Sequence, residues 1–401
     1  MSAKALSLIL LPTLQCNAAC DYCFEDKTKD RLSLERLAEI VDKVLDPLGE
    51  RKIAELTIHW QGGEIMTLSP SWLMRACAQI DEAAAARGCT VSHGLQTNLI
   101  GYHAGWNDPI REIFGNRVST SMDYPNLYRR RRGREAADYT EIWVRNLHRA
   151  RAAGIDVQVI AVPNPATLEM GAERFYAYFV DVLDIRSFQV NTPFPGGSPN
   201  AVKQLLPLDP EPLARFYVDL ADLWLARGLA SGVRVGPFDE LLAYFQDQPA
   251  LLPCIWTEDC ANHMISIDAR GHMAQCDCWV ASYPDYRFGN LFESASLGAL
   301  LRDSSVLARF HQRPMALVQG GCIDCDYLAL CHGGCPVRAY SVYGRLSEKD
   351  PYCALYRAVF GHMAAAAASL ARSSARHLVS PDPCGPETLI AVGPSTHIFP
   401  E

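Results

Sequence analysis

The sequence predicts an α/β fold, a partial (β/α)6 barrel followed by a smaller cysteine-rich domain. Strand-like and helical patterns alternate through the first half of the 401-residue chain. Strands separated by helices pair in parallel through right-handed crossovers. Cysteines then become frequent from Cys254 onward. We expect the barrel over residues 1–235, the cysteine-rich domain over 236–374 and a Pro-rich tail over 375–401.

Each element of the barrel is predicted from its periodicity. The strand-like runs are Ala5–Leu11, Glu55–Trp60, Thr90–Thr97, Arg117–Met122, Asp156–Val162 and Ser187–Val190. The helical patterns are Ser33–Leu45, Ser71–Arg87, Thr140–Ala153 and Gly171–Leu183. Ser33 is the expected N-cap of the first helix. Because barrels of parallel strands place active sites at the carboxyl ends of the strands, we expect functional residues directly after them.

Composition excludes several classes of function. Hydrophobic residues make up 49% of the chain and charged residues 20%, which is ordinary for a soluble globular protein. No apolar run reaches the ~18 residues of a membrane helix, and no signal peptide precedes the first strand, so we expect a cytoplasmic protein. A net charge of −8 argues against general nucleic-acid binding. Fifteen cysteines without an export signal favour a metalloprotein over a disulfide scaffold.

The cysteines Cys16, Cys20 and Cys23 follow the first strand with the spacing C-x-x-x-C-x-x-C. A [4Fe–4S] cluster normally takes four thiolates, so a loop with three leaves one iron open to an exogenous ligand. Zinc is the main alternative, although structural zinc sites usually add a second distant pair of ligands. Disulfides are the other alternative and suit secreted chains better. We interpret the loop as a cluster site with an open iron.

Glycine-containing or polar segments end the next three strands. They are Trp60-Gln61-Gly62-Gly63-Glu64, Gln96-Thr97-Asn98 and Ser119-Thr120-Ser121-Met122-Asp123. Paired glycines allow a close backbone approach, and the carboxylate after them can receive an ammonium group. A basic run, Arg129–Arg132 with Arg134, follows the fourth strand. Taken singly, the Gly-Gly segment is more often just a turn, the polar segments are frequently turn formers, and the basic run is usually a solvated charged stretch.

Together these segments resemble the radical S-adenosylmethionine (SAM) enzymes. In that family the open iron chelates the amino and carboxylate groups of SAM, and an electron from the cluster cleaves SAM to a 5′-deoxyadenosyl radical. The resemblance implies SAM contacts from Tyr22, Gly62, Gly63, Glu64, Gln96, Asn98, Ser121 and one arginine, for which we choose Arg132. Ile65, Leu99 and Tyr124 depart from the commoner motif forms.

Eight further cysteines follow in the second half: Cys254, Cys260, Cys276, Cys322, Cys325, Cys331, Cys335 and Cys353. Eight thiolates fill two [4Fe–4S] clusters or two Cys₄ zinc sites, so the count does not choose between them. Their spacing resembles the SPASM extension of radical SAM enzymes. The resemblance implies interleaved ligation, with Cys254, Cys260, Cys276 and Cys335 holding one auxiliary cluster and Cys322, Cys325, Cys331 and Cys353 the other. Three [4Fe–4S] clusters and SAM are the expected cofactors.

Metal bonds also lead to a structural expectation for the second half. We expect Ile255–Asp350 to contain few helices and to be held by metal more than by an apolar core. A hairpin is expected from Met264–Asp268 and His272–Cys276, with Gly271 at its tip.

Asp277 is the residue proposed for proton chemistry. A carboxylate beside a cluster ligand can accept a proton while the cluster accepts an electron, although an acid in a hairpin is equally expected. The Cys276-Asp277 pair and the cysteine spacings resemble anaerobic sulfatase-maturating enzymes, which oxidise a Cys or Ser of a sulfatase to formylglycine. The resemblance implies that Asp277 is the catalytic base.

These motifs predict a peptide- or protein-modifying enzyme. The deoxyadenosyl radical would abstract hydrogen from a residue of a ribosomal precursor peptide or protein, and oxidation or cross-linking would follow. Expected partners are this substrate and an electron donor such as flavodoxin or ferredoxin, without nucleic acid or membrane. Formylglycine formation on a sulfatase, dehydrogenation of a small alcohol and a zinc-stapled interaction module are the alternatives.

Overall fold

The computed structural model describes residues 4–45, 53–194, 209–258, 260 and 264–378, and its centre is one sheet. The strands lie in the order β10-β9-β8-β1-β2-β3-β4-β5-β6-β7. They are β1 Lys4–Leu11, β2 Ile53–Trp60, β3 Thr90–Thr97, β4 Arg117–Ser121, β5 Asp156–Ala161, β6 Ser187–Val190, β7 Arg234–Gly236, β8 Met264–Asp268, β9 His272–Ala274 and β10 Gly289–Asn290. Strands β1 to β7 are parallel in chain order. The predicted α/β class and its six strands are confirmed, and the sheet remains open between β7 and β10.

Helices connect the parallel strands. Their bounds are Leu34–Val44, Pro70–Ala85, Asn107–Ile113, Ala136–Ala152, Pro165–Met170, Ala172–Ala177, Pro210–Leu223 and Phe238–Phe245. Ser33 caps the first of these, since its hydroxyl oxygen accepts from the Arg36 N–H at 3.2 Å. The helix predicted over Gly171–Leu183 is an α-helix over Ala172–Ala177 and continues as a π-helix over Tyr178–Val182.

Alternation along the strands separates a packed face from a polar one. Val157, Val159 and Ala161 are buried on β5, while Gln158 and Ile160 between them are partly exposed. Successive side chains of a strand point to opposite faces, so one face meets the helices and the other remains accessible. The accessible face leads, at the carboxyl ends of the strands, to the predicted site segments.

The second half is more helical than the sequence suggested. Helices lie at Asp277–Ser282, Leu297–Asp303, Ser305–Leu317, Leu328–Cys331, Pro336–Tyr343 and Cys353–Leu378. Trp279 is fully buried, with its ring centroid 4.5 Å from that of Tyr286, 5.5 Å from Phe310 and 5.4 Å from Tyr340. The expectation of few helices over Ile255–Asp350 was therefore wrong, whereas the expectation that metal holds this segment more than its apolar core stays a prediction. Aromatic residues distant in sequence build this core, and local periodicity does not show their convergence.

The sheet continues across the expected boundary at residue 235. Strand β7 spans it, and β8 pairs in parallel with β1, with Leu11 opposite Asp268. The predicted hairpin is present as β8 and β9, and Gly271 at its tip has φ +83°. The Cα of Gly271 faces the Phe292 ring, which a Cβ would approach to 2.4 Å.

The last helix, Cys353–Leu378, runs into the region assigned to the tail. Most of the predicted Pro-rich segment, including Cys384, lies outside the described residues. Within the described ranges, no helix has both the length and the apolar character needed to cross a bilayer.

Candidate active site

The three-cysteine loop follows β1 at the carboxyl edge of the sheet. Two backbone hydrogen bonds tie it to the arginine-rich loop after β4: Ala19 N–H donates to the Arg130 carbonyl at 2.8 Å, and Asp21 N–H donates to the Tyr128 carbonyl at 2.9 Å. Cys16, Cys20 and Cys23 are each partly buried. Chain segments more than a hundred residues apart therefore shape this loop, and the three thiols face a common region where their charges interact.

Gly62 and Gly63 lie against the backbone that enters the cysteine loop. A Cβ on Gly62, whose φ is +127°, would be 2.4 Å from the Thr13 carbonyl oxygen. A Cβ on Gly63 would be 2.4 Å from the Leu14 carbonyl oxygen, and Gly63 N–H donates to Thr13 at 3.0 Å. Real Cβ atoms cannot approach so closely, so both positions require glycine. The pair thus sets the position of the cysteine loop relative to the end of β2.

The Glu64 carboxylate, 2% exposed, is held by donors of the chain itself. Its oxygens accept from Thr97 Oγ1 at 2.5 Å, from Asn98 N–H at 2.6 Å and from Met66 N–H at 2.8 Å. Burial raises the pKa of Glu64, and these hydrogen bonds oppose the rise. Glu64 therefore joins the ends of β2 and β3, while the role of receiving an ammonium group stays a prediction.

Asn98, Gln96 and Ser121 line the same edge. Asn98 Nδ2 donates to Asn17 Oδ1 at 2.7 Å and lies 3.8 Å from Cys16 Sγ. Gln96 Nε2 donates to Ser121 Oγ at 2.9 Å. The structure thus brings Asn98 next to the cysteine loop and joins Gln96 to Ser121 across the ends of β3 and β4. Their contacts with SAM stay a prediction.

A buried ion pair lies beside Cys20. Arg129 donates from Nε and Nη2 to the two carboxylate oxygens of Asp123 at 2.9 and 3.1 Å, and Tyr22 Oη donates to Asp123 Oδ2 at 2.5 Å. Arg129 also lies 5.3 Å from the centre of the Tyr22 ring, and its charge acts on the Cys20 thiol. Bidentate pairs of this kind are rigid and specific.

Two arginines of the basic run, Arg129 and Arg132, lie in different environments. Arg132 is exposed on the loop surface, whereas Arg129 is 9% exposed and contacts the predicted site residue Tyr22. The choice of Arg132 as the SAM contact stays a prediction. The five arginines carry no periodic signal that distinguishes the buried one. The available signal was Asp123, which ends the segment Ser119–Asp123 after the fourth strand.

Sequence reasoning also missed Lys27, which lies beside the cysteine loop. Its Nζ is 2.7 Å from Glu25 Oε2. Burial alone would lower the pKa of Lys27, but Glu25 and the thiols of Cys23 and Cys16 raise it above its ordinary value. Lys27 therefore keeps its charge and places a cation near two of the three thiols. Its position four residues after Cys23 was the available signal.

Four thiols of the second half converge into one group, which we call the first auxiliary set: Cys254, Cys260, Cys276 and Cys335. Burial of the thiol, and then the charges of neighbouring thiols in this set, raise the pKa of Cys254 and of Cys260. Burial also raises the pKa of Cys335; Arg338 opposes this rise, and Asp350 and Cys276 add to it. Asp350 Oδ2 accepts from the Cys335 N–H at 2.9 Å and fixes that backbone. This grouping agrees with the interleaved arrangement expected from the resemblance, and metal ligation by it stays a prediction.

The other four form the second auxiliary set: Cys322, Cys325, Cys331 and Cys353. They line one cavity together with Tyr327 and Phe360. Burial raises the pKa of Cys331 to about 12, and the charges of Cys353 and Cys325 act in the same direction. Buried thiols ionise when a metal replaces their protons, so a lined cavity of four thiols fits a cluster or a zinc ion.

Asp277 lies where the cysteine loop meets the first auxiliary set. It begins the helix Asp277–Ser282, and Gln61, directly after β2, hydrogen-bonds its carboxylate. Ser282, at the other end of this helix, donates to the Phe24 carbonyl next to Cys23. Burial raises the pKa of Asp277 to about 6, and the charge of Glu25 adds to the rise. One helix thus connects the two cysteine regions.

Cys278 belongs to neither set, although it lies in the same helix. The ligand atoms of Cys276, Asp277 and Cys278 are within 4.8 Å of one another. A hydrogen bond with Cys276, together with burial, raises the pKa of the Cys278 thiol well above its usual value. No disulfide joins the cysteines in the described part of the chain, so the disulfide alternative has no support there.

Comparison with known proteins agrees with this geometry. Residues 10–170 match the model of the radical SAM superfamily. The chain is 22% identical over 394 residues to a serine-type anaerobic sulfatase-maturating enzyme of Bacteroides thetaiotaomicron, covering 90% of each protein. It is 23% identical over 393 residues to a cysteine-type anaerobic sulfatase-maturating enzyme of Clostridium perfringens, covering 88% of this chain and 95% of the relative.

Solved structures share the fold. Anaerobic sulfatase-maturating enzyme anSMEcpe with bound AdoMet superposes with a TM-score of 0.73 at 21% identity, over 92% of this chain and 100% of that one. SuiB of Streptococcus suis bound to S-adenosylmethionine gives 0.57 at 15% identity, over 87% and 77%. Residues 10–170 therefore form a radical SAM domain, and the chain is homologous to the anaerobic sulfatase-maturating enzymes.

Proposed function

We propose that this protein is a radical SAM maturase that oxidises or cross-links a residue of a peptide or protein. The observation that carries the proposal is the position of Asp277 between the three-cysteine loop and the first auxiliary set. A hydrogen-abstracting centre, a base and an electron-accepting centre would then be neighbours. Oxidation of a substrate residue needs these three in sequence.

The chain's own residues have defined tasks in this proposal. Cys16, Cys20 and Cys23 fit three ligands of a [4Fe–4S] cluster, which together with SAM supplies the 5′-deoxyadenosyl radical when bound. The Gly62–Gly63 pair and Glu64 hold the end of β2 and β3 against that loop. Asp277, placed by Gln61, accepts the proton that the substrate heteroatom loses on oxidation. The first auxiliary set, adjacent to Asp277, fits the acceptor for the electron.

A peptide substrate is supported by what the relatives bind. Solved structures of anSMEcpe contain the Cp18Cys peptide, and SuiB has been solved with its precursor peptide SuiA. Both have the fold of this chain, in which the predicted site segments lie at the carboxyl ends of the parallel strands. The proposed electron donor, such as flavodoxin or ferredoxin, would reduce the cluster of the three-cysteine loop.

Formylglycine formation is the second candidate product. Both curated relatives described above are sulfatase-maturating enzymes, one serine-type and one cysteine-type. The reaction would use the same loop, the same base and the same acceptor. A serine would lose two hydrogens to give the aldehyde, whereas a cysteine would first give a thioaldehyde, which takes up water and releases hydrogen sulfide. Both routes begin with the same loss of a hydrogen atom, a proton and an electron, so the geometry supports either product.

The experiment is anaerobic incubation of the reconstituted protein with SAM, a reductant and two peptide classes. One class carries the serine or cysteine of a sulfatase segment, and the other is a ribosomal precursor encoded near the gene. Mass spectrometry that shows loss of two hydrogen masses from a serine peptide identifies formylglycine, and a modified precursor identifies the peptide maturase. Turnover of a small alcohol with neither peptide modified contradicts the proposal.

The role of Asp277 is tested by Asp277→Asn. We expect 5′-deoxyadenosine to form at about the rate of the unmodified enzyme, because cleavage of SAM does not use this base. Peptide product should fall by at least about a hundredfold, the usual contribution of a general base. The control is Asp285→Asn, an exposed acid eight residues later. Undiminished product from the Asp277 variant removes this residue from the mechanism.

A further inference from the structure

Asp350 lies at the junction of the two auxiliary sets, although it supplies no thiol to either. It is 1% exposed, and in the chain it comes between Cys335 of the first set and Cys353 of the second. Together with Gly333 it lines the cavity that the four thiols of the second set share. A buried carboxylate is costly unless donors surround its oxygens, so the partners of Asp350 show what it holds.

The carboxylate of Asp350 contacts the backbone of the first set. Its Oδ2 accepts from the Cys335 N–H at 2.9 Å and from Tyr356 Oη at 3.1 Å. Arg338 Nη1 lies 3.6 Å from the same oxygen. All three neighbours are donors, and the Cys335 N–H is a main-chain group. The position of this ligand backbone is therefore fixed by a side chain 15 residues further along the chain.

The backbone of Asp350 contacts the second set. Its carbonyl oxygen accepts from the Cys353 N–H at 3.0 Å, and its own N–H donates to the Gly333 carbonyl at 2.9 Å. The next residue, Gly334, donates its N–H to the Cys331 carbonyl at 2.9 Å. Asp350 is thus bonded to one thiol-bearing residue of the second set and to the segment that follows another.

Glycine at position 334 allows the two segments to touch. Gly334 has φ +71°, and a Cβ on it would lie 2.4 Å from the Cβ of Asp350. Real Cβ atoms do not approach so closely, so the position requires glycine. The chain between Cys331 of the second set and Cys335 of the first therefore packs directly against Asp350.

A role at the start of a helix does not account for these contacts. Asp350 Oδ1 accepts from the Tyr352 N–H at 2.9 Å, as acids before a helix commonly do. That role uses one oxygen and a local bond. The other oxygen binds Cys335, and the N–H binds Gly333. Buried polar networks whose members are satisfied make the segments that they join rigid.

We propose that Asp350 is a positioning residue that couples the two auxiliary sets, so that metal at one set is held more firmly when the other set is filled. This rests on the proposed function in one respect, namely that metal occupies both sets. Metal at the second set fixes Cys353 and, through the backbone bond, Asp350. The Asp350 carboxylate then keeps Cys335 in the position that the first set requires. An empty second set releases Cys353 and Asp350, and Cys335 loses its fixed acceptor.

The experiment is a double-mutant cycle in the reconstituted full chain under anaerobic conditions. Cys322→Ser with Cys325→Ser empties the second set, and Asp350→Ala removes the link. Metal is counted first, and then an iron chelator and iodoacetamide are added together. Mass spectrometry of the digested protein follows alkylation of Cys276, which reports loss of metal from the first set.

Two control variants separate coupling from general stability. Asp350→Asn keeps an amide oxygen that can accept from Cys335, so it should behave as the parent. Asp268→Ala removes a second buried acid, whose Oδ1 accepts from the Arg270 and His272 N–H groups at 2.9 Å within the hairpin of β8 and β9. It should lower stability and leave the alkylation rate of Cys276 as in the parent.

In the parent, we expect emptying of the second set to speed alkylation of Cys276 by about tenfold, an effect within the range for residues that share one network. In Asp350→Ala, alkylation should already be fast, and emptying the second set should change it by less than about twofold. A tenfold effect that persists in Asp350→Ala overturns the proposal, because the covalent chain from Cys331 to Cys335 then carries the coupling. No effect in the parent overturns it as well.

Failure of a variant to assemble also decides the question. If Asp350→Ala takes up no metal at either set while Asp350→Asn takes up both, the proposal is supported, and loss at one set alone overturns it. Immediate alkylation of Cys276 and Cys322 in the parent would show that neither set holds metal, which overturns this proposal and the auxiliary centres of the proposed function together. Coupled sets with no modified peptide defeat the proposed function alone.

Discussion

The three-cysteine loop and the second auxiliary set hold their thiols in different ways. The three-cysteine loop is bonded across the molecule, with Ala19 and Asp21 donating to the loop after β4. The second auxiliary set uses short local turns, with Cys325 N–H donating to Cys322 and Leu328 N–H donating to Cys325. The conformation of the three-cysteine loop therefore depends on the loop after β4, whereas the conformation of the Cys322–Cys325 turn depends on hydrogen bonds among its own few residues.

The charges around the two regions differ as well. Beside the three-cysteine loop, Arg129 is neutralised by Asp123 and Lys27 is paired with Glu25. Around the second auxiliary set, the cations acting on Cys353 lie at the surface. The comparison teaches that the three-cysteine loop has many contacts with the rest of the protein, from which we expect it to keep its order without metal. A turn with few partners should rely on its metal for order.

The largest expected effect follows from replacing Cys16, Cys20 and Cys23 by alanine together. Formation of 5′-deoxyadenosine should fall to the level of a control without enzyme, because no open iron remains to bind SAM. Iron should fall by about four of about twelve atoms, since the auxiliary sets keep their thiols. Chromatographic assay of 5′-deoxyadenosine and iron analysis measure both. Cleavage of SAM by this variant would refute the assignment of the loop.

Asp123→Asn tests whether the buried pair of Asp123 and Arg129 stabilises the three-cysteine loop independently of metal. The substitution leaves the Arg129 charge buried without a partner, so we expect a loss of about 3–5 kcal/mol in the free energy of unfolding. Urea unfolding measures the change. The matched control is Asp156→Asn, whose pair with Arg117 at 3.3 Å has both side chains more than half exposed. That control should cost less than about 1 kcal/mol. Equal effects would show that the buried pair does not hold the loop.

A smaller, local effect is expected on removal of iron by a chelator. Amide exchange at Cys325 and Leu328 should accelerate by about tenfold or more, because their hydrogen bonds lie within one short turn. Amides of Ala19 and Asp21 should change less, since their acceptors belong to the loop after β4. Hydrogen exchange read by mass spectrometry after protease digestion resolves the two peptides. Equal acceleration in both regions would contradict the expectation that the second auxiliary set depends more on metal for its order than the three-cysteine loop does.

Much of the fold and of the site was predictable because its signals are local. Periods of two and of about 3.6 identified β1–β6 and four of the connecting helices to within a few residues, and missed the other helices of the first half. Parallel order placed the motifs at one edge. The same reasoning failed for Ile255–Asp350, where Trp279, Phe310 and Tyr340 meet from three separate helices. No local pattern shows that these aromatic residues share a core.

The sequence by itself determined the motifs, their order along the strands and the number of thiols available to metal. Only the tertiary structure decided which arginine is buried, how Glu64 uses its oxygens and where Asp277 lies relative to the cysteine loop. The physical reason is that spacing along the chain depends on covalent order, which sequence states directly. Burial and charge compensation depend on groups from distant segments, and their energies exist only once those segments meet.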